Sequence, residues 1–209
     1  MLTLYGENLW DSPFVFTALV ALEEKGLEYQ VRTFKLHQGE HRSEPFRSQS
    51  VTGRVPAIDH DGFVLGESVA IVEYLEETFP TPRLLPANTR DRARARQVLG
   101  WLRSDLTNLR RDRPTESMFF SHTTAPLSEA GEKDVERLFR IAALLLDDGA
   151  QTTLFSEWSI ADADLAFMLA RLRKNGDSMP PFLERYVDAT FDRPSVRVFL
   201  EKPRPASAG

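Results

Sequence analysis

No cysteine occurs in the 209-residue chain, which rules out disulfides, thiolate metal sites and a protein-borne thiol nucleophile. Any thiol chemistry must therefore be carried by a bound small molecule. An excess of basic charge is missing too. Lys and Arg number 26 against 31 Asp and Glu, giving a net charge of −5 and a pI near 5.5. A phosphate backbone is a poor partner for such a chain, and no nucleic acid is expected. Histidine is scarce, at four copies. His37 and His41 have the spacing with which a helix presents two ligands to one metal. Gly39 lies between them and no helix signal covers them, so no metal site is expected. The apolar stretch at residues 14–22 is too short to span a bilayer, and it follows Glu7 and Asp11 rather than the basic residues of a signal peptide. No membrane association is expected, and a cytoplasmic location is the default expectation.

What is present is the material of a globular protein, with 42% hydrophobic and 27% charged residues. The length suits one large domain or two small ones. Residues 2–5 read as a strand. Ser12-Pro13 followed by Phe14, Val15, Ala18, Leu19 and Leu22 reads as an N-cap, a proline at the first helical position and an apolar face. Gly26 ends that helix. Residues 29–34 alternate as a second strand, which completes a βαβ unit. Residues 37–52 are polar and irregular, with one short helical turn expected near 44–47.

Residues 55–58 and 63–65 are apolar runs about a His60-Asp61-Gly62 turn, the local signature of a β-hairpin. Pro56, just inside the first of these strands, cannot donate to a ladder and points to an edge or to an exposed Val55 backbone. Ser68 then stands at an N-cap position ahead of an apolar-faced helix, so bare amides should point back beside the hairpin and suit a carboxylate. The expected order is βαβ, an irregular linker, then ββα.

Three prolines between residues 80 and 86 break any helix and read as an inter-domain connection, expected at 81–88 between domains at 1–80 and 89–202. Beyond it no strand is expected. Residues 91–111 read as one long helix, 135–146 as a second and 159–173 as a buried central helix, with shorter peripheral helices at 181–191 and 195–200. Residues 203–209 are expected to be a disordered tail.

A βαβ-ββα module with Val55-Pro56 before its third strand and Glu67-Ser68 at its last helix, joined by a proline-rich linker to an all-helical half, resembles the glutathione transferase superfamily. The likeness covers nearly the whole chain. The segment Ser159-Ile160-Ala161-Asp162 resembles that family's capping box. The stretches at 94–106 and 157–165 look closest to the bacterial YfcF-type members, a subgroup associated with conjugation, peroxide reduction and disulfide reduction. The resemblance implies a thioredoxin-like N-terminal domain, an all-helical C-terminal domain, glutathione as co-substrate, and a homodimer.

The resemblance also implies roles for particular residues. Ser12 would activate the glutathione thiol; by itself the residue reads first as a plain helix cap, and the accompanying Val55-Pro56 and Glu67-Ser68 pairs favour the functional role. Tyr5 lies on the strand and Trp10 has no proton of useful acidity, so neither competes well. Val55, exposed before a cis proline, would pair with the cysteinyl backbone of glutathione. Glu67 and Ser68 would hold the γ-glutamyl end, and His41 and Arg54 would meet the glycine carboxylate, with Arg42 as a weaker third. Trp10, Met118, Phe119 and Phe120 either line an apolar second-substrate pocket or belong to the core. Asp105 is a candidate contact to glutathione in a partner subunit. The arginines between 90 and 113 read as a solvated or dimer-facing surface. Asp162 and Asp164 face different sides of a helix and make no acid–base pair. The expected function is conjugation of glutathione to a small electrophile, or reduction of a peroxide or disulfide. The alternative is a non-catalytic binding or regulatory protein on the same scaffold.

Overall fold

The structure, a computed structural model, describes residues 1–205. The tail expected to be disordered therefore lies outside the described residues from position 206 onward. The chain forms two compact units, Leu85–Arg193 and a first unit made of Met1–Leu84 with residues 194–205.

The first unit runs β1 (Leu2–Glu7), α1 (Pro13–Glu24), β2 (Tyr29–Phe34), two 3₁₀ turns, α2 (Phe46–Gln49), β3 (Ala57–His60), β4 (Phe63–Gly66) and α3 (Ser68–Thr78). Its sheet has the order β2-β1-β3-β4, with β1 parallel to β2 and β3 antiparallel to both β1 and β4. This is the expected βαβ-ββα arrangement. The hairpin register follows from a two-residue turn, with Asp61 at φ 51° and Gly62 at φ 92°. Paired positive φ values match the twist of the flanking strands, which is why an Asp-Gly pair sits there.

Helix α1 is buried along residues 15–22. Its C-terminal Lys25 is buried and spends its ammonium on Glu76 (2.5 Å) and on the carbonyls of Phe79 (2.6 Å) and Pro82 (2.5 Å), tying the ends of α1 and α3 together. The linker expected to be irregular holds more local order than its composition suggests. It has 3₁₀ turns at Leu36–Gln38 and Glu40–Arg42, and its helical turn falls at Phe46–Gln49.

The second unit contains α4 (Thr89–Ser104), α5 (Thr107–Asp112), α6 (Glu116–Phe119), α7 (Glu129–Leu145), α8 (Ile160–Asn175) and α9 (Pro181–Phe191), with no strand among its described residues. The single helix expected over 91–111 is broken. Leu106 turns left-handed at φ 59°, and the Asp105 carboxylate accepts from the Leu106 amide (2.8 Å) and Trp101 Nε1 (3.0 Å). Asp134, on α7, then accepts from the Asn108 and Leu109 amides at 2.9 and 3.1 Å, which satisfies the start of α5. At the head of α4, Asn88 Oδ1 accepts from the Arg90 and Asp91 amides at 2.8 and 3.2 Å. Asn88→Ala is expected to cost about 1 kcal/mol in urea unfolding, because those two donors lose their acceptor.

Helix α10 (Pro194–Leu200) groups with the first unit, not with the helices that precede it. Its Phe199 is fully buried, edge-on to Phe16 (centroids 5.2 Å) and to Trp10 (6.0 Å), and its Ser195 hydroxyl bonds Glu24. The expectation of a peripheral helix at 195–200 is thus overturned. Val196 and Phe199 are apolar and are covered by α1, which is a core role.

Candidate functional site

Ser12 is half-buried at the N-cap of α1, and its Oγ accepts from the Phe14 and Val15 amides, both at 3.3 Å. Both capping bonds use oxygen lone pairs. The hydroxyl hydrogen is left to donate, at a helix end where the backbone dipole already favours an anion. Capping and thiol activation are therefore compatible at this one side chain.

The other two candidates on this stretch are committed elsewhere. Tyr5 is 7% exposed, stacked on Phe34 (5.9 Å) and tilted against Phe46 (5.0 Å). Trp10 is 6% exposed against Phe199, with Lys202 Nζ 5.1 Å from its ring centroid. Both belong to the core of the first unit. Met118 is likewise buried in the second unit, and Phe119 lies against Phe167 at 6.2 Å.

The Val55–Pro56 peptide bond is cis, and β3 begins only at Ala57, so Pro56 precedes the strand instead of opening it. Among the described residues the backbone polar groups of Val55 have no hydrogen-bond partner. They are open to an extended peptide-like ligand, in the manner of an added strand.

The N-cap of α3 is Glu67, one residue earlier than expected, and Ser68 is the first helical residue. The cause is the left-handed turn at Glu67 (φ 67°), which swings the chain into the helix before Ser68. The first intrahelical bond runs from the Ile71 amide to the Glu67 carbonyl at 2.9 Å. The amides of Ser68, Val69 and Ala70 therefore lie ahead of the helical ladder, the pattern that receives a carboxylate. Glu67 is exposed, and Ser68 is buried at 4% exposure.

His41 lies in the second 3₁₀ turn with its Nδ1 buried and unpartnered, while Arg42 and Arg54 are exposed. Gly39, at φ 74°, separates the turn bearing His37 from the one bearing His41, so the two imidazoles do not share a helix face. Among the described residues no group of three or more His, Cys, Asp or Glu is placed to hold a metal ion. No helix among them is long and apolar enough to cross a membrane.

Two residues that the sequence does not single out as site residues hold the loop that precedes Ser12. Glu7, at the end of β1 and 4% exposed, accepts from the amides of Trp10 (2.5 Å), Asp11 (3.1 Å) and Ser12 (3.1 Å). Burial pushes its carboxyl up to about 7 from an ordinary 4.5. The amide bonds, Ser12's foremost, pull the other way, and the charge of Asp11 adds to the rise. Because the folded value is the higher one, ionising Glu7 opposes folding. Its contribution to stability is present below about 4.5 and is lost as pH rises through about 7.

From the opposite end of the chain, Arg204 donates to the Trp10 carbonyl from Nε (3.1 Å) and Nη2 (2.8 Å), and also reaches the carbonyls of Phe199, Leu200 and Lys202. Its guanidinium faces the charges of Glu7 and Asp11. An arginine within an apparent tail carries no local signal of this role. Glu7 carries only the weak one of a carboxylate just before a loop.

A family model described as "Glutathione S-transferase, N-terminal domain" matches residues 1–77, and one described as "Glutathione S-transferase, C-terminal domain" matches residues 88–203. Among solved structures, the chain is similar to a glutathione transferase homolog from Burkholderia gl BGR1 with bound glutathione. The two are 38% identical with a TM-score of 0.77, and 96% of each chain is covered. It is also similar to a maleyl pyruvate isomerase, a bacterial glutathione S-transferase in Zeta class, at 27% identity and TM-score 0.74, over 98% of this chain and 99% of that one. Among curated proteins, the maleylacetoacetate isomerase of Rattus norvegicus is 39% identical over 92 residues, 43% of each chain. The match thus spans less than half the length of that relative.

Proposed function

The chain belongs to the glutathione S-transferase family, and from that premise we propose that it is a glutathione-dependent enzyme in which the Ser12 hydroxyl stabilises the glutathione thiolate. The observation that carries this reading is the Ser12 geometry. Its oxygen caps α1 through lone pairs only, leaving the O–H to donate at the positive end of the helix. Lowering a thiol from about 8.5 by two units takes about 2.7 kcal/mol. A hydrogen bond to a charged sulfur supplies about 1.5–3 kcal/mol and the helix end about 0.3–1 kcal/mol, so the two together suffice.

Glutathione would pair through its cysteinyl backbone with Val55. Its γ-glutamyl carboxylate would sit on the first-turn amides of α3 and its ammonium on Glu67. His41 and Arg54 would face its glycine carboxylate. The thiolate so formed can attack an electrophile to give a conjugate, a peroxide to give the sulfenic acid of glutathione and an alkoxide or hydroxide, or a disulfide to give a mixed disulfide and a thiolate.

A second chemistry is favoured by the names of the similar proteins, maleylacetoacetate isomerase and maleyl pyruvate isomerase. There the thiolate would add to a conjugated cis double bond, the resulting single bond would rotate, and elimination would restore glutathione and the trans product. Glutathione consumption separates the two. Conjugation or reduction consumes it stoichiometrically with product, whereas isomerisation leaves its concentration unchanged. The family assembly implied is a homodimer, which sedimentation would show directly.

The test of the common step is calorimetric titration with glutathione, with thiolate absorbance of the complex followed against pH. Binding with a thiol titrating near or below about 6.5 is expected. Absence of binding would instead favour the reading of a non-catalytic binding or regulatory protein. Glu67→Gln should weaken glutathione binding about tenfold, since a charge-assisted contact to the ammonium becomes a neutral one, while the thiol titration of the complex stays in place.

A further inference from the structure

We infer that Glu7 and Arg204 are positioning residues for Ser12, gripping the loop before α1 from opposite ends of the chain so that the serine is presented correctly only when Glu7 is ionised and residues 201–205 are docked. The inference rests on the reading of Ser12 as the thiol-activating residue, and takes it further by naming what controls that serine.

The loop has little of its own to hold it. Trp10 is in the left-handed region at φ 53°, where a bulky side chain is disfavoured. No regular ladder reaches the amides of Trp10, Asp11 and Ser12, and all three converge on the two oxygens of one buried carboxylate. An ionised carboxylate accepts such a set fully. A protonated one gives up an acceptor site and acquires a donor with no place among three N–H groups. Protonation therefore releases at least one of these amides, and with it the fixed path of the loop that leads into Ser12.

Arg204 completes the grip by holding the Trp10 carbonyl twice, on the other side of the same residue. It also answers an electrostatic problem. A bare Glu7 carboxylate behind Ser12 would set a negative field against the thiolate that Ser12 is to stabilise. The charges facing Glu7 are Asp11 on the loop and Arg204 from the C-terminal segment. The guanidinium offsets both carboxylates while contributing its hydrogen bonds to carbonyls. Burial that raises the Glu7 carboxyl to about 7 places the transition within the neutral range, so the loop responds to modest acidification.

The test compares full-length wild type, Glu7→Gln, Arg204→Gln and Ser12→Ala. One measurement is kcat/KM against pH with glutathione and an aryl halide. The other is the fluorescence of Trp10 against pH, without glutathione, in a Trp101→Phe, Trp158→Phe background. Wild type should lose activity on acidification with two-proton steepness, one proton from the thiol and one from Glu7, and Trp10 emission should titrate near pH 7. Glu7→Gln should lower kcat/KM roughly tenfold at pH 8, reduce the acid limb to one proton and abolish the Trp10 transition. Arg204→Gln should keep the transition but move it upward by about half a unit or more, since removing a nearby cation disfavours the carboxylate.

A merely structural Glu7 would shift stability without moving these midpoints. A wild-type limb of one proton with no Trp10 transition overturns the inference, as does a wild-type pH profile in Glu7→Gln. If Glu7→Gln does not fold, the wild-type Trp10 titration and its shift in Arg204→Gln decide the matter. Undiminished activity in Ser12→Ala would overturn the serine reading itself. The Trp10 titration distinguishes that failure, because it needs neither substrate nor turnover.

Discussion

Ser12→Ala is expected to lower kcat/KM roughly 10- to 100-fold, while glutathione affinity changes by less than about threefold. The estimate follows from the 1.5–3 kcal/mol of a hydrogen bond to a charged group. On the proposed mode of binding the effect falls on the thiolate, which would form only after glutathione is held by Val55, Glu67 and the α3 amides. Affinity therefore survives while reactivity does not. The bound thiol should titrate correspondingly higher, by about one to two units.

The cap that Ser12 also provides confuses this variant, because losing it costs about 1 kcal/mol of stability. Ser12→Gly separates the two roles. Glycine is tolerated at an N-cap at a cost of a few tenths of a kcal/mol, yet it has no hydroxyl to donate. Equal activity losses in the alanine and glycine variants, with near-native stability in the second, would assign the loss to the hydroxyl. Full activity in either would remove Ser12 from the mechanism.

Asp162→Ala should damage the second unit severely, at about 3 kcal/mol or more in denaturant unfolding. The carboxylate is fully buried and accepts from the Leu154 amide (2.7 Å), the Ser159 amide (2.9 Å), Ser159 Oγ (3.0 Å) and the Tyr186 hydroxyl (3.0 Å). Alanine would strand all four donors away from water. It would also remove the capping box of α8, a helix buried along residues 160–172. Asp162→Asn keeps the size and one acceptor oxygen and should lose about half as much. A cost below about 1 kcal/mol for alanine would mean that water reaches these donors and that the network is peripheral.

The architecture was legible because its signals are local. Ser12-Pro13 marks the start of α1, the Asp61-Gly62 pair sets the hairpin, and Ser159 with Asp162 caps α8. In each, the residue type and the backbone geometry it supports are separated by three positions or fewer. The start of α3 shows how narrow that window is. Ser68 has the chemistry of an N-cap, but a left-handed Glu67 turns the chain first and takes the position. The break between α4 and α5 was invisible for a different reason. Residues 91–111 keep a helical pattern throughout, and what ends the helix is Asp105 together with a carboxylate arriving from Asp134 on α7.

By itself, then, the sequence determined the βαβ-ββα order of residues 2–78, the absence of any thiol on the protein, and the placement of Ser12, Val55, Glu67 and Ser68 at turns and helix starts. These depend on short-range sterics, on capping and on hydrophobic period, which neighbouring residues carry. The tertiary structure alone decided that α10 completes the core of the first unit, that Tyr5 and Trp10 are core residues, and that Glu7 and Arg204 meet at the loop before Ser12. Arg204 and Trp10 are 194 positions apart. No local pattern encodes such a meeting, because burial and charge acquire their meaning only from the atoms that the completed fold brings alongside.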